Sequence, residues 1–104
     1  MFKLSEKSEN GGYLQLHVTA GFNKLVEILG EPNSEGDNYK VSTMWLVEDE
    51  NGSVCTIYDY KETNLYDNDQ ISVDEFRNQP EYKWHIGGND QVIAEKLRTY
   101  IMSK

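Results

Sequence analysis

The stretch Met44-Trp45-Leu46-Val47-Glu48-Asp49-Glu50-Asn51-Gly52-Ser53-Val54-Cys55-Thr56-Ile57-Tyr58 decides how this chain is read. Two runs rich in aromatic and β-branched residues flank Asn51-Gly52, and both of those residues tolerate the positive φ of a two-residue type I′ turn. The expectation is a hairpin with strands at 39–48 and 53–60. With that turn Glu50 opposes Ser53, Leu46 opposes Ile57 and Trp45 opposes Tyr58. One face then carries Met44, Leu46, Cys55 and Ile57 and reads as the core side. The other carries Thr43, Trp45, Val47, Thr56, Tyr58 and Tyr60, whose rings can pack while their polar tips stay wet.

Upstream, Phe2 and Leu4 suit a short edge strand, and Glu9-Asn10-Gly11-Gly12 reads as a turn. Residues 13–18 alternate, with Leu14, Leu16 and Val18 on one side, as a half-buried strand does. Phe22, Leu25, Val26 and Leu29 then fall on one face of a helix. Thr19 is placed to cap it, Gly30 to end it and Pro32 to block its continuation. Downstream, residues 61–81 show no sustained period. They are expected to form a long acidic loop with one short helical turn, started by the capping box of Ser72 and Glu75. Residues 82–86 alternate again and run into Gly87-Gly88. A last helix follows, with Asn89 as cap, Asp90 at its positive end and Ile93, Leu97, Tyr100 and Ile101 as its buried stripe. The predicted architecture is a single α+β domain over 1–104: a small, mostly antiparallel sheet, order β-α-β-β-β-α, with two helices packed on one face.

At 104 residues there is room for one core, and 38% apolar with 12% aromatic content is too rich for a disordered acidic tail. The single cysteine, Cys55, excludes an internal disulfide. The first residues lack the apolar centre of a secretory signal, and no apolar run reaches the ~20 residues that span a bilayer. A cytoplasmic setting is expected, and Asn51-Gly52-Ser53 reads as a turn rather than a glycosylation site.

Charge is concentrated. The chain has a net charge of -8, yet Glu31 to Glu75 holds twelve acids against Lys40 and Lys61. Such a surface repels nucleic acid and attracts basic partners. Catalytic and metal motifs are weaker. Asp67-Asn68-Asp69 opens like a calcium loop, but the positions that then need an oxygen ligand, glycine and glutamate hold Ile71, Ser72 and Asn78. His17 and His85 fall on separate elements and Cys55 has no partner at ligand spacing, so no metal and no cofactor are expected. A Cys55–His85 nucleophile pair is conceivable, but a small thiol on a core face is the plainer reading. Gly87-Gly88 before a helix could cradle an anion, though it lacks the spacing of a phosphate-binding loop.

Trp45, Asp49-Glu50-Asn51-Gly52, Thr56-Ile57-Tyr58-Asp59-Tyr60-Lys61 and Trp84-His85-Ile86-Gly87-Gly88 together resemble a pattern in small uncharacterised acidic bacteriophage proteins. The resemblance spans about half of the chain and implies origin rather than chemistry. Short acidic phage proteins are often inhibitors of host defence machinery, such as CRISPR effectors or restriction nucleases. The leading expectation is thus a non-enzymatic binding protein whose carboxylates imitate nucleic-acid phosphates and block a basic host protein. Its expected contact surface is Glu48, Asp49, Glu50, Asp59, Glu62, Asp67, Asp69, Asp74 and Glu75, with Trp45, Tyr58 and Tyr60 as anchors. The alternative is a binder of a nucleotide-like signal around Tyr58, Lys61, His85, Gly87 and Gly88, and an enzyme using Cys55 or His85 ranks last. A homodimer through the aromatic face or a strand edge fits each reading.

Overall fold

A computed structural model describes residues 1–7 and 12–104. The expected turn at Glu9-Asn10-Gly11-Gly12 lies largely outside the described residues. Eight elements follow in order: β1 (Lys3–Leu4), β2 (Tyr13–Ala20), α1 (Phe22–Leu29), β3 (Met44–Glu48), β4 (Val54–Tyr58), α2 (Val73–Arg77), β5 (Tyr82–Gly88) and α3 (Gln91–Met102). The strands form one antiparallel sheet in the order β1-β3-β4-β5-β2. The α+β class is therefore as expected, with a fifth strand and the short third helix included.

The hairpin differs from expectation by one residue in register, and its strands are shorter than expected, residues 39–43 and 59–60 lying outside them. Trp45 opposes Ile57 and Val47 opposes Cys55. The connection is a three-residue loop, Glu50-Asn51-Gly52, closed by Asp49 N–H donating to the Ser53 carbonyl (3.1 Å) and Gly52 N–H donating to the Asp49 carbonyl (3.0 Å). Gly52 takes φ 81°, the left-handed position that such loops place before the returning strand. The Asp49 carboxylate tips the choice: its Oδ1 accepts the N–H groups of Asn51 and Ser53, both at 2.9 Å. A slip of one residue turns a strand over. Trp45 and Val47 therefore join Cys55 and Ile57 in the core, all nearly inaccessible, while Met44 and Leu46 lie on the opposite face.

Around Trp45 and Trp84, whose rings meet edge to face, gather Phe22, Phe76 and Tyr82. Each indole N–H is satisfied by a carbonyl at the end of an element: Trp45 donates to Gly30 (2.8 Å) and Trp84 to Ala20 (2.9 Å). These bonds tie both ends of α1 to the sheet, since α1 begins just after Ala20 and ends at Gly30. Leu25 and Leu29 of α1 and Ala94, Leu97 and Ile101 of α3 complete the core on this face. The cap of α1 is Gly21, without a side-chain cap bond, because Thr19 belongs to β2. Asp90 rather than Asn89 caps α3, accepting from Val92 N–H.

The two sheet edges are built differently. On the outer side of β3, β1 pairs with Val47 and Glu48, Ser5 N–H reaches the Leu46 carbonyl, and the Asn33 side chain both donates to and accepts from the Leu46 backbone. Ser34 then bridges to Met44. At the other edge β2 pairs with β5 on one side only; among the described residues nothing pairs with its outer side. Its eight residues carry no charge and no proline. A bulge between Leu14 and Leu16 breaks the alternation read from the sequence and leaves Leu14 49% exposed.

Candidate functional site

Helices cover one sheet face. The opposite face and the excursion from Lys61 to Glu81 hold most of the residues singled out by sequence. Alternation along β4 and β5 puts Thr56, Tyr58, His85 and Gly87 on this open side, and His17 lies directly opposite His85 on β2. Tyr58 stacks on His85 (5.2 Å, 21°), and His17 meets His85 edge-on at 4.8 Å. Tyr60 approaches the same imidazole at 5.9 Å. Burial is the main force holding His85 below the usual imidazole pKa, and the neighbouring His17 adds to it.

The aromatic contacts continue beyond the sheet. Lys61 places its ammonium 5.1 Å from the Tyr60 ring centre and 5.2 Å from that of Tyr66, and Tyr66 packs on Tyr39. Tyr60 and then Tyr66 raise the Lys61 pKa. A band of rings thus runs from Tyr39 through Tyr66 and Tyr60 to His85 and Tyr58. Tyr66 lies in a segment without period, and Tyr39, expected at the start of a strand, lies in the irregular segment before β3.

Residues 61–71 form an ordered loop with close ends. Asn64 N–H donates to the Ile71 carbonyl (2.8 Å), the Gln70 amide donates to the Lys61 carbonyl (2.8 Å) and Thr63 is buried. The capping box behind it is present, with Ser72 Oγ accepting from Glu75 N–H.

The nine predicted acids divide sharply. Asp59 is fully buried and accepts from Ser42 N–H (2.8 Å), Ser42 Oγ–H (2.6 Å) and Thr43 N–H (2.9 Å). Asp49 is buried beneath the hairpin turn. Neither belongs to a contact surface, and nor does Trp45, which is 0% exposed at the core centre. Glu48 is tied to Ser5 (2.9 Å) and Lys7 (3.6 Å), and Glu50 to the N-terminal amine (3.0 Å). Glu62, Asp67, Asp69, Asp74 and Glu75 remain together on the excursion, with no ion pair among the described residues. The two bases of this segment are turned elsewhere: Lys61 onto the tyrosines and Arg77 onto Phe22 and Thr43 Oγ1.

The anion-cradle reading is corrected. Gly87 and Gly88 lie inside β5, paired with β2 and β4, rather than in a turn before the helix. Gly87 is needed where it is: a Cβ there would stand 2.7 Å from Thr56 Oγ1 and 3.2 Å from the Tyr58 ring. Cys55 lies in the core, on the sheet face opposite His85, and burial pushes its thiol up to about 11. The two do not form a nucleophile pair. Among the described residues no three metal-ligating side chains gather, and no helix is long and apolar enough to cross a membrane. A scan against protein-family models and a search of curated proteins both find no match.

Proposed function

We propose that this chain is a non-enzymatic binding protein that engages a basic partner through the acidic excursion and the tyrosine band beside it. The observation that carries the reading is the unmatched charge of residues 61–81, where the acids make no ion pair among the described residues and both bases are held on aromatic rings. Carboxylates next to half-exposed phenol rings suit arginine, whose guanidinium pairs with the first and stacks on the second. Such a surface gives fast, salt-sensitive association. The resemblance to phage proteins directs the proposal to a host nucleic-acid-handling protein whose basic channel would otherwise hold phosphates. The contact residues are Glu62, Asp67, Asp69, Asp74 and Glu75, with Tyr58, Tyr60 and Tyr66 as anchors.

Capture from a bacterial lysate at low and high salt, with wild type beside the fourfold variant Glu62→Lys, Asp67→Lys, Asp69→Lys and Asp74→Lys, tests this. A basic nucleic-acid-binding protein should be retained at low salt, released by high salt and lost by about tenfold or more in the variant, equivalent to about 1.4 kcal/mol. Equal retention by the variant, with its fold intact by circular dichroism, would overturn the reading.

A further inference from the structure

The sequence separates His17 from His85 by most of the chain, but the sheet order brings them side by side. They are direct partners on neighbouring antiparallel strands, on the face that no helix covers. Their ring centres stand 4.8 Å apart at an interplanar angle of 60°. That spacing has a chemical meaning. Two imidazoles bound through nitrogen to one metal ion at about 2.0–2.1 Å, at angles between square and tetrahedral, have ring centres about 4.5–5.2 Å apart, the ring nitrogen being about 1.1 Å from its ring centre.

We propose that His17 and His85 form a two-imidazole chelate for one late first-row divalent cation, of the class Cu²⁺, Ni²⁺ or Zn²⁺. The donor set selects that class: imidazole suits these ions, and the absence of a carboxylate pair disfavours Mg²⁺ and Ca²⁺. His85 is braced by the stacked Tyr58 ring, so less side-chain freedom is lost on chelation. Its Nδ1 is buried without a hydrogen-bond partner, so Nε2 is the nitrogen through which the proposed ion would be held. Two nearby charges act in opposite senses, Lys83 against a cation and Asp59 in its favour. With no third ligand gathered among the described residues, water completes the coordination and the ion exchanges readily. The site adjoins the tyrosine band through Tyr58 and Tyr60, but metal uptake is read without any partner and does not depend on the partner reading.

Calorimetric titration of chelator-treated protein with CuCl₂, NiCl₂ and ZnCl₂ in a non-coordinating buffer tests it, alongside His17→Asn and His85→Asn. Wild type should take up one ion per chain, and each single variant should bind about tenfold or more weakly, because the second imidazole binds intramolecularly. Should a variant misfold, titration of the wild type with diamagnetic Zn²⁺, followed by the imidazole ring-nitrogen NMR shifts, gives the answer without mutation: one ring nitrogen of each histidine must move at one equivalent. Absence of saturable uptake, uptake unchanged in either variant, or a ring-nitrogen shift at one histidine alone would overturn the proposal.

Discussion

Asp59 shows how little a residue's charge says about its work. In the sequence it is one acid among eighteen. In the fold it is the buried acceptor that holds the start of β3 to the end of β4, taking two backbone N–H groups and one hydroxyl. Removing the carboxylate would strand those donors away from water, and a buried donor without a partner is costly. Asp59→Ala should lower stability by about 3 kcal/mol, in line with the loss of hydrogen bonds to a charged group. Asp59→Asn keeps one acceptor oxygen and should lose clearly less. Urea unfolding of the three proteins measures both, and a midpoint for Asp59→Ala equal to wild type would contradict the assigned role. Asp49 works in the same way under the hairpin turn. Sequence alone places both residues with the solvent-facing charge, and burial removes both from it.

At the scale of the element, the register of the β3–β4 hairpin rests on one loop residue. Gly52 has φ 81°, and a Cβ there would also collide with the Lys7 ammonium, which donates to the Gly52 carbonyl. Gly52→Ala should cost about 1–2 kcal/mol, the usual penalty for an L side chain in the left-handed region; thermal unfolding against wild type checks it. A loss near zero would mean that the loop has relaxed to another turn. The same hairpin shows what the sequence makes legible. The existence and kind of the elements were readable, since periodicity and caps are local: Leu25 and Leu29 on α1, Ser72 with Glu75 before α2, Leu97 and Ile101 on α3. Which face of the hairpin meets the core was not readable, because Asn51-Gly52 is compatible with a two- or a three-residue loop and the Asp49 side chain settles the choice. Gly87 and Gly88 were misplaced for a related reason. Glycine usually punctuates a strand, but here it makes room for Thr56 and the Tyr58 ring. Of the candidate site, Tyr58 and His85 were readable as neighbours of β4 and β5. The contact of His17 with His85 depends on the non-local order β4-β5-β2, which no local pattern encodes.

Across the whole molecule, charge and edge structure divide the surface. Acids dominate the excursion, while β2 offers an uncharged strand whose outer backbone groups have no partner among the described residues. Like-charged copies can approach there without setting carboxylate against carboxylate. Light scattering over a rising concentration series should therefore reveal monomers and dimers and nothing larger, and Thr19→Lys, which adds a charge to an exposed position of that strand, should shift the series to monomer. A larger assembly, or a dimer indifferent to Thr19→Lys, would count against pairing through β2. The upper limit follows from the far side of the sheet. Head-to-tail strand addition needs two usable edges on every copy, and here the second edge is only the two-residue β1, with Asn33 and Ser34 along the rest of β3, too short to template another strand. In this respect the protein has a valence of one. Pairing across a two-fold axis uses up the free edge of both copies, so growth ends after a single step and the molecule is denied a route to fibres.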